Sequence, residues 1–161
     1  MALKRLMKER LQYDKEPSSY YSININDNNI YEWKVLLFVS DPDSPFYQGT
    51  FECMFKFPQN YPNKPPEFKF LSMFPHPNIY PDGKVCISIL HEGKDEYGYE
   101  HISERWNPSH SVDSVLMSVS YMLSNPNFDS PANVDASVLW KNNEKEYKKI
   151  IYKLIADQHN L

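Results

Sequence analysis

One of the two cysteines in this 161-residue chain is placed where a thiol could do chemistry. Cys86 follows a proline-studded turn and opens an apolar run in HPNIYPDGKVCISIL, His76 to Leu90. A thiol keeps a useful thiolate fraction near neutral pH, so a cysteine beside such a turn could attack a carbonyl and carry an acyl group. Flanked by Val85 and Ile87, it also reads as a buried, inert thiol. In a protease-like pair His76 would be its base, but no third group that would orient the ring is identifiable. A histidine between prolines more often braces a turn. A zinc site from Cys86, His91 and His101 lacks paired CxxC or HxxxH spacing, so no metal is expected. The other cysteine is plainer. Cys53 alternates with Phe51, Phe55 and Phe57 against Glu52 and Lys56, which places it in the core.

The elements that must position Cys86 follow from periodicity. Leu3, Leu6, Met7 and Leu11 recur at helical spacing, with Lys4, Arg5, Lys8 and Arg10 mostly on other faces. They predict an amphipathic helix from residue 2 to about 15, ended by Pro17 and Ser18. Tyr21, Ile23 and Ile25 alternate up to the turn Asn26-Asp27-Asn28-Asn29, and Tyr31, Trp33, Val35, Leu37 and Val39 alternate after it, which reads as a hairpin. The Cys53 strand is third, and a short strand around Phe68 to Leu71 is fourth. Seven of the 13 prolines lie between Pro58 and Pro81, so beyond that strand the chain runs as a rigid extended connection. Val112, Val115, Leu116, Val119, Met122 and Leu123 then mark an apolar helix that Ser111 could cap and Asn125-Pro126 stops. A second helical stretch runs from about Val134 to Leu154, with a possible break near Asn142-Asn143. The order predicts an α+β fold: an N-terminal helix, a four-stranded antiparallel meander, an extended active-site segment and C-terminal helices. Residues 1–161 are expected to form one domain.

Composition narrows the function. With 41% apolar residues and a formal net charge of −4, the chain has the makings of a core and lacks the broad basic face of a nucleic-acid binder. No run of about 18 apolar residues suggests a membrane span, and MALKRLMKER has no signal-peptide character. The expectation is a cytoplasmic protein whose partners are proteins.

Several segments in fixed order then resemble the ubiquitin-conjugating enzymes. They are YPNKPP (Tyr61 to Pro66), HPNIY, a cysteine eight residues after Asn78, RWNPSHSVDSVLMSV from Arg105, and NPNFDSPAN from Asn125. The likeness covers essentially the whole chain, and it is what tips Cys86 from inert thiol to ubiquitin-carrying nucleophile. It implies that ubiquitin arrives from an activating enzyme as a thioester and leaves to a lysine with the help of a RING-type ligase. ATP is consumed by the activating enzyme, so this chain needs no cofactor of its own. Aminolysis of a thioester builds negative charge on the carbonyl oxygen, and a neutral amide donor can stabilise it. The resemblance puts Asn78 in that role, though its side chain could equally cap the local turn. His76 and Pro77 become structural parts of the active-site motif. Ser130 falls at a gate position where family members carry Asp or Ser, while "DSP" alone reads as an ordinary turn. Ser88 departs from the aspartate many relatives carry there. The attacking lysine, with a free pKa near ~10.4, must shed its proton mostly by desolvation, because no base stands out in the motif.

By the same resemblance the first helix meets the activating enzyme, through Lys4, Arg5 and Lys8. Pro62, Asn63, Pro108 and Ser109 match ligase-facing loops, although Asn63 replaces a commonly apolar side chain. Taken alone, the lysines read as a solvated face. Between Cys86 and Trp106 the spacing is longer than in compact family members. The extra segment, about residues 91–104, carries Glu92, Asp95, Glu96 and Glu100 and is expected one short strand from Cys86. It reads as a solvated acidic loop and resembles the acidic-loop branch of the family. HPNIYPDGKVCISIL and ANVDAS, Ala132 to Ser137, look closest to the type that serves endoplasmic-reticulum-associated degradation. That likeness implies recruitment by a partner to the cytosolic face of the endoplasmic reticulum. Two other classes remain: an inactive variant acting as an adaptor, and a conjugator of another ubiquitin-like modifier.

Overall fold

The computed structural model describes residues 1–26, 28–93 and 104–160. Its elements are α1 (Ala2–Lys15), β1 (Tyr21–Ile25), β2 (Glu32–Phe38), β3 (Thr50–Lys56), β4 (Glu67–Phe70), a 3₁₀ turn at Ser88–Leu90, α2 (Val112–Ser124), α3 (Val134–Asn142) and α4 (Glu144–Gln158). The strands form one antiparallel meander in the order β1-β2-β3-β4. Register puts Val35 opposite Cys53, and Cys53 opposite Phe70. One face of the sheet therefore collects Trp33, Val35, Leu37, Phe51, Cys53, Phe55, Phe68 and Phe70, all buried, in one core with Val115, Leu116, Val119 and Leu123 of α2. Each large side chain fully buried there contributes on the order of 2–3 kcal/mol, and the rings meet edge to face, as in Phe55 with Phe68.

Ser111 caps α2 as its sequence predicts, in a capping box with Ser114. The C-terminal helical stretch breaks at Asn143, which ends α3 and, by accepting from the Glu146 amide, begins α4.

The first helix has the predicted bounds but turns its stripe outward. Leu6 is buried with Ala2, whereas Leu3, Met7 and Leu11 are 49%, 51% and 67% exposed. Polar ties hold the helix instead. Glu9 accepts the Val112 amide at 2.8 Å and the Tyr61 hydroxyl, so its carboxylate sits at the positive end of α2. Arg5 donates to the carbonyls of Pro108 and His110 at 2.8 and 2.6 Å.

The run after Cys86 is not the short strand its alternation predicts. Val85 donates to the Phe68 carbonyl, and the pairing Lys69 with Lys84 sets the register. Continuing it would bring Ile87 opposite Pro66, which has no N–H to offer. The chain coils into the 3₁₀ turn instead, with Leu90 and His91 donating to Ile87 and Ser88 at 3.0 and 2.9 Å.

Candidate active site around Cys86

A tight turn delivers Cys86. Pro81 sets up the turn Tyr80–Gly83, closed by the Gly83 amide on the Tyr80 carbonyl at 2.8 Å. Gly83 has φ +97°, and a Cβ there would lie 2.2 Å from the Phe70 carbonyl oxygen. Only glycine fits so close to the edge strand. The Cys86 amide donates to the Asn78 carbonyl at 2.9 Å, which fixes the nucleophile's backbone to the HPN segment.

His76 is fully buried. Its Nε2 faces the carbonyls of Met122 and Leu123 at 3.1 and 3.2 Å, and its Nδ1 accepts the Asn78 amide at 3.0 Å. Those partners fix the Nε2–H tautomer. Burial lowers the ring's pKa to about 4, against the opposing pull of the two carbonyls. It is a brace and is not placed against Cys86. Pro77 is buried, and its carbonyl accepts the Asn133 amide at 3.0 Å.

Asn78 is 5% exposed, and its side chain brackets the Asn127 backbone: Nδ2 donates to the carbonyl at 2.8 Å and Oδ1 accepts the amide at 2.9 Å. The side chain therefore does not cap its own turn, the local alternative for Asn78, but braces the loop that carries Asn127. A primary amide has a second N–H, so a donor role at a thioester remains compatible with the clamp. The clamped loop carries Ser130, exposed and with φ +51°. Asn127 and Asn133 anchor that loop to the HPN segment on either side of Ser130.

The two cysteines differ as their patterns predict. Cys53 is wholly buried, and its thiol is pushed far up by burial and the Glu52 charge. Cys86 is half-buried and lines a groove of about 720 Å³ with Phe68, Tyr80, Lys84 and His91. Of these neighbours, sequence alone assigns Tyr80 no role and raises His91 only as a metal ligand. Tyr80 lies beside the thiol, whose charge and hydrogen bond push the phenol's pKa up. His91 places Nε2 3.6 Å from Cys86 Sγ. A strand would have carried the chain ~16 Å over those five residues and turned His91 to the opposite face, whereas the 3₁₀ turn folds it back.

Flanking residues 94–103, Arg105 donates to the carbonyls of Gly93 and Glu92 at 2.9 and 3.0 Å, and the Trp106 amide to that of His91 at 2.8 Å. Glu92 is exposed and pairs with Lys64 at 3.7 Å. Asp95, Glu96 and Glu100 lie outside the described residues. Of the surface positions, Lys4, Lys8, Asn63, Pro108 and Ser109 are exposed. Two are corrected. Arg5 spends its fork on Pro108, His110 and Glu9, and Pro62 is buried with its carbonyl held by Trp106 Nε1 at 2.7 Å. Among the described residues no group of three His, Cys, Asp or Glu could hold a metal ion, and no helix is long and apolar enough to cross a membrane.

Comparison with known proteins settles the family. Residues 5–155 match the family described as Ubiquitin-conjugating enzyme. The chain belongs to the ubiquitin-conjugating enzyme family. Members are transferases that work through a cysteine thioester, and the meander with its helices is consistent with their α+β fold. Among its relatives is Ubiquitin-conjugating enzyme E2 13 of Arabidopsis thaliana, 45% identical over 97% of this chain and 95% of that one. Probable ubiquitin-conjugating enzyme E2 7 of Caenorhabditis elegans is 50% identical over 78% and 76%. Ubiquitin-conjugating enzyme E2 G2 of Homo sapiens is 44% identical over 96% and 94%.

Proposed function

We propose that this ubiquitin-conjugating enzyme carries ubiquitin on Cys86 and passes it, with a RING-type ligase, to a lysine of a substrate or of ubiquitin. The carrying observation is the contrast between a buried Cys53 and a Cys86 that a glycine turn holds at a groove. Asn78 steadies the oxyanion through its second N–H while it ties down the Asn127 loop, and Ser130 stands on that loop as the gate. Ubiquitin arrives from the activating enzyme, which spends the ATP, and this chain uses no cofactor of its own. Lys4, Lys8, Asn63, Pro108 and Ser109 form the exposed part of the activating-enzyme and ligase surfaces.

The reading extends to endoplasmic-reticulum-associated degradation, with recruitment by a partner to the cytosolic membrane face and proteasomal destruction of the products. Its support is the likeness of HPNIYPDGKVCISIL and ANVDAS to that type. The acidic residues Glu92, Asp95, Glu96 and Glu100 favour approach of a basic acceptor surface in a salt-dependent way.

The test is incubation with activating enzyme, ATP and ubiquitin, read on a non-reducing gel. Wild type should form a reductant-labile adduct, and Cys86→Ser at most a slow oxyester that survives reductant. A reductant-labile adduct on Cys86→Ser would refute the assignment.

A further inference from the structure

We infer that His91 is the proton acceptor of the Cys86 site. The inference rests on Cys86 being the ubiquitin carrier. That chemistry needs protons removed twice: from the thiol when ubiquitin is loaded, and from the attacking ammonium when it is transferred. His76 cannot take either, because it is buried and both its ring nitrogens are committed. Tyr80 is a phenol whose neighbour raises its pKa further, so near neutrality it is a donor. His91 Nε2 lies within hydrogen-bond reach of Sγ, at 3.6 Å, and takes the proton in its Nδ1–H tautomer.

The core places this imidazole. His91 donates its amide to Ser88 and accepts from the Trp106 amide, and Trp106 is itself 5% exposed and anchored to Pro62. Among the described residues, the charged and titratable groups around it include Cys86 and Tyr80, Glu92 next in the chain, Lys56, Lys64, Glu67 and Lys84 along the groove, and Arg105 on the carbonyls of Glu92 and Gly93.

On loading, Nε2 takes the Sγ proton, and the thiolate attacks the carbonyl of the incoming thioester. The bond from that carbonyl to the donor's sulfur breaks, and the departing thiolate takes the imidazolium proton. On transfer, Nε2 takes one proton from the lysine ammonium, and the free amine attacks the carbonyl carbon bonded to Sγ. The Cys86 thiolate leaves and takes the second amine proton, while the imidazolium releases its proton to solvent.

The experiment is single-turnover discharge of preloaded enzyme onto lysine between pH 5.5 and 8.5, for wild type, His91→Gln and the control Glu92→Gln. His91→Gln should load more slowly than wild type but still reach a reductant-labile adduct, which keeps the carrier reading separate from this one. Its discharge should be on the order of 10²-fold slower at neutral pH, the lower end of what a positioned base supplies. It should also lose the inflection that an imidazole gives between pH 5 and 8, and added imidazole should restore part of the rate to His91→Ala. Equal discharge rates and pH profiles in His91→Gln would overturn the inference.

Discussion

Acid should unfold this enzyme partly through one histidine. His76 is fully buried with a pKa lowered from 6.5 to about 4, chiefly because burial disfavours its charged form. The unfolded chain therefore binds a proton that the native state refuses, throughout the window between those values. Stability supplied by the neutral ring is complete above pH 6.5 and falls as pH drops toward 4. One proton per molecule corresponds to a slope of about 1.4 kcal/mol per pH unit, so the window removes about 3 kcal/mol. That is a large share of the 5–15 kcal/mol typical of a domain. Urea unfolding at pH steps from 7.5 to 4.5 measures it, with His76→Gln as reference. Gln keeps a donor toward Met122 and Leu123 but cannot titrate, so the variant should start less stable at pH 7.5 and lose stability less steeply below pH 6.5. Carboxylates protonate alike in both proteins and cancel in the comparison. Parallel curves for the two would refute the reasoning.

Gly83→Ala combines about 1–2 kcal/mol of left-handed strain with a methyl aimed at the Phe70 carbonyl. It should cost about 2–4 kcal/mol in thermal unfolding and slow thioester formation at least ~10-fold, because Cys86 hangs from the same turn. Glu9→Ala strands the Val112 amide and the Tyr61 hydroxyl, so a loss of about 2–3 kcal/mol in urea unfolding is expected. Asn78→Ala should leave loading nearly intact while slowing transfer to lysine by roughly 10²-fold; equal losses in both steps would make the Asn127 clamp its whole role.

Wherever one period governed a segment, the sequence was legible. Alternation through Phe51, Cys53 and Phe55 marked the inner face, and Ser111 with Asn125 bracketed α2 because caps are local chemistry. Helical spacing located α1 but could not orient it, since Leu3, Met7 and Leu11 look alike whether they face core or solvent. What fixes that helix is a carboxylate and a guanidinium meeting backbone some 100 residues away. At the site, Cys86, His76 and Asn78 were readable from their motif. Tyr80 was in plain view without a role, and the fold-back of His91 onto Cys86 was hidden because the 3₁₀ turn depends on Pro66, a residue in another segment. Arg5 and Pro62 read as surface from sequence because their carbonyl and indole partners are distant in the chain.

The clasp formed by Arg105 and Trp106 makes the insertion a cassette. The described chain leaves after Gly93 and resumes at Glu104, and the Arg105 hydrogen bond to Gly93 holds the two sides together. Closing such a loop costs only ~0.6 kcal/mol more for each doubling of its length. Descendants of this enzyme could therefore lengthen, shorten or recharge residues 94–103 with little tax on folding, provided Arg105 and Trp106 stay. Acceptor preference could drift in one short stretch while the machinery that loads ubiquitin is inherited unchanged.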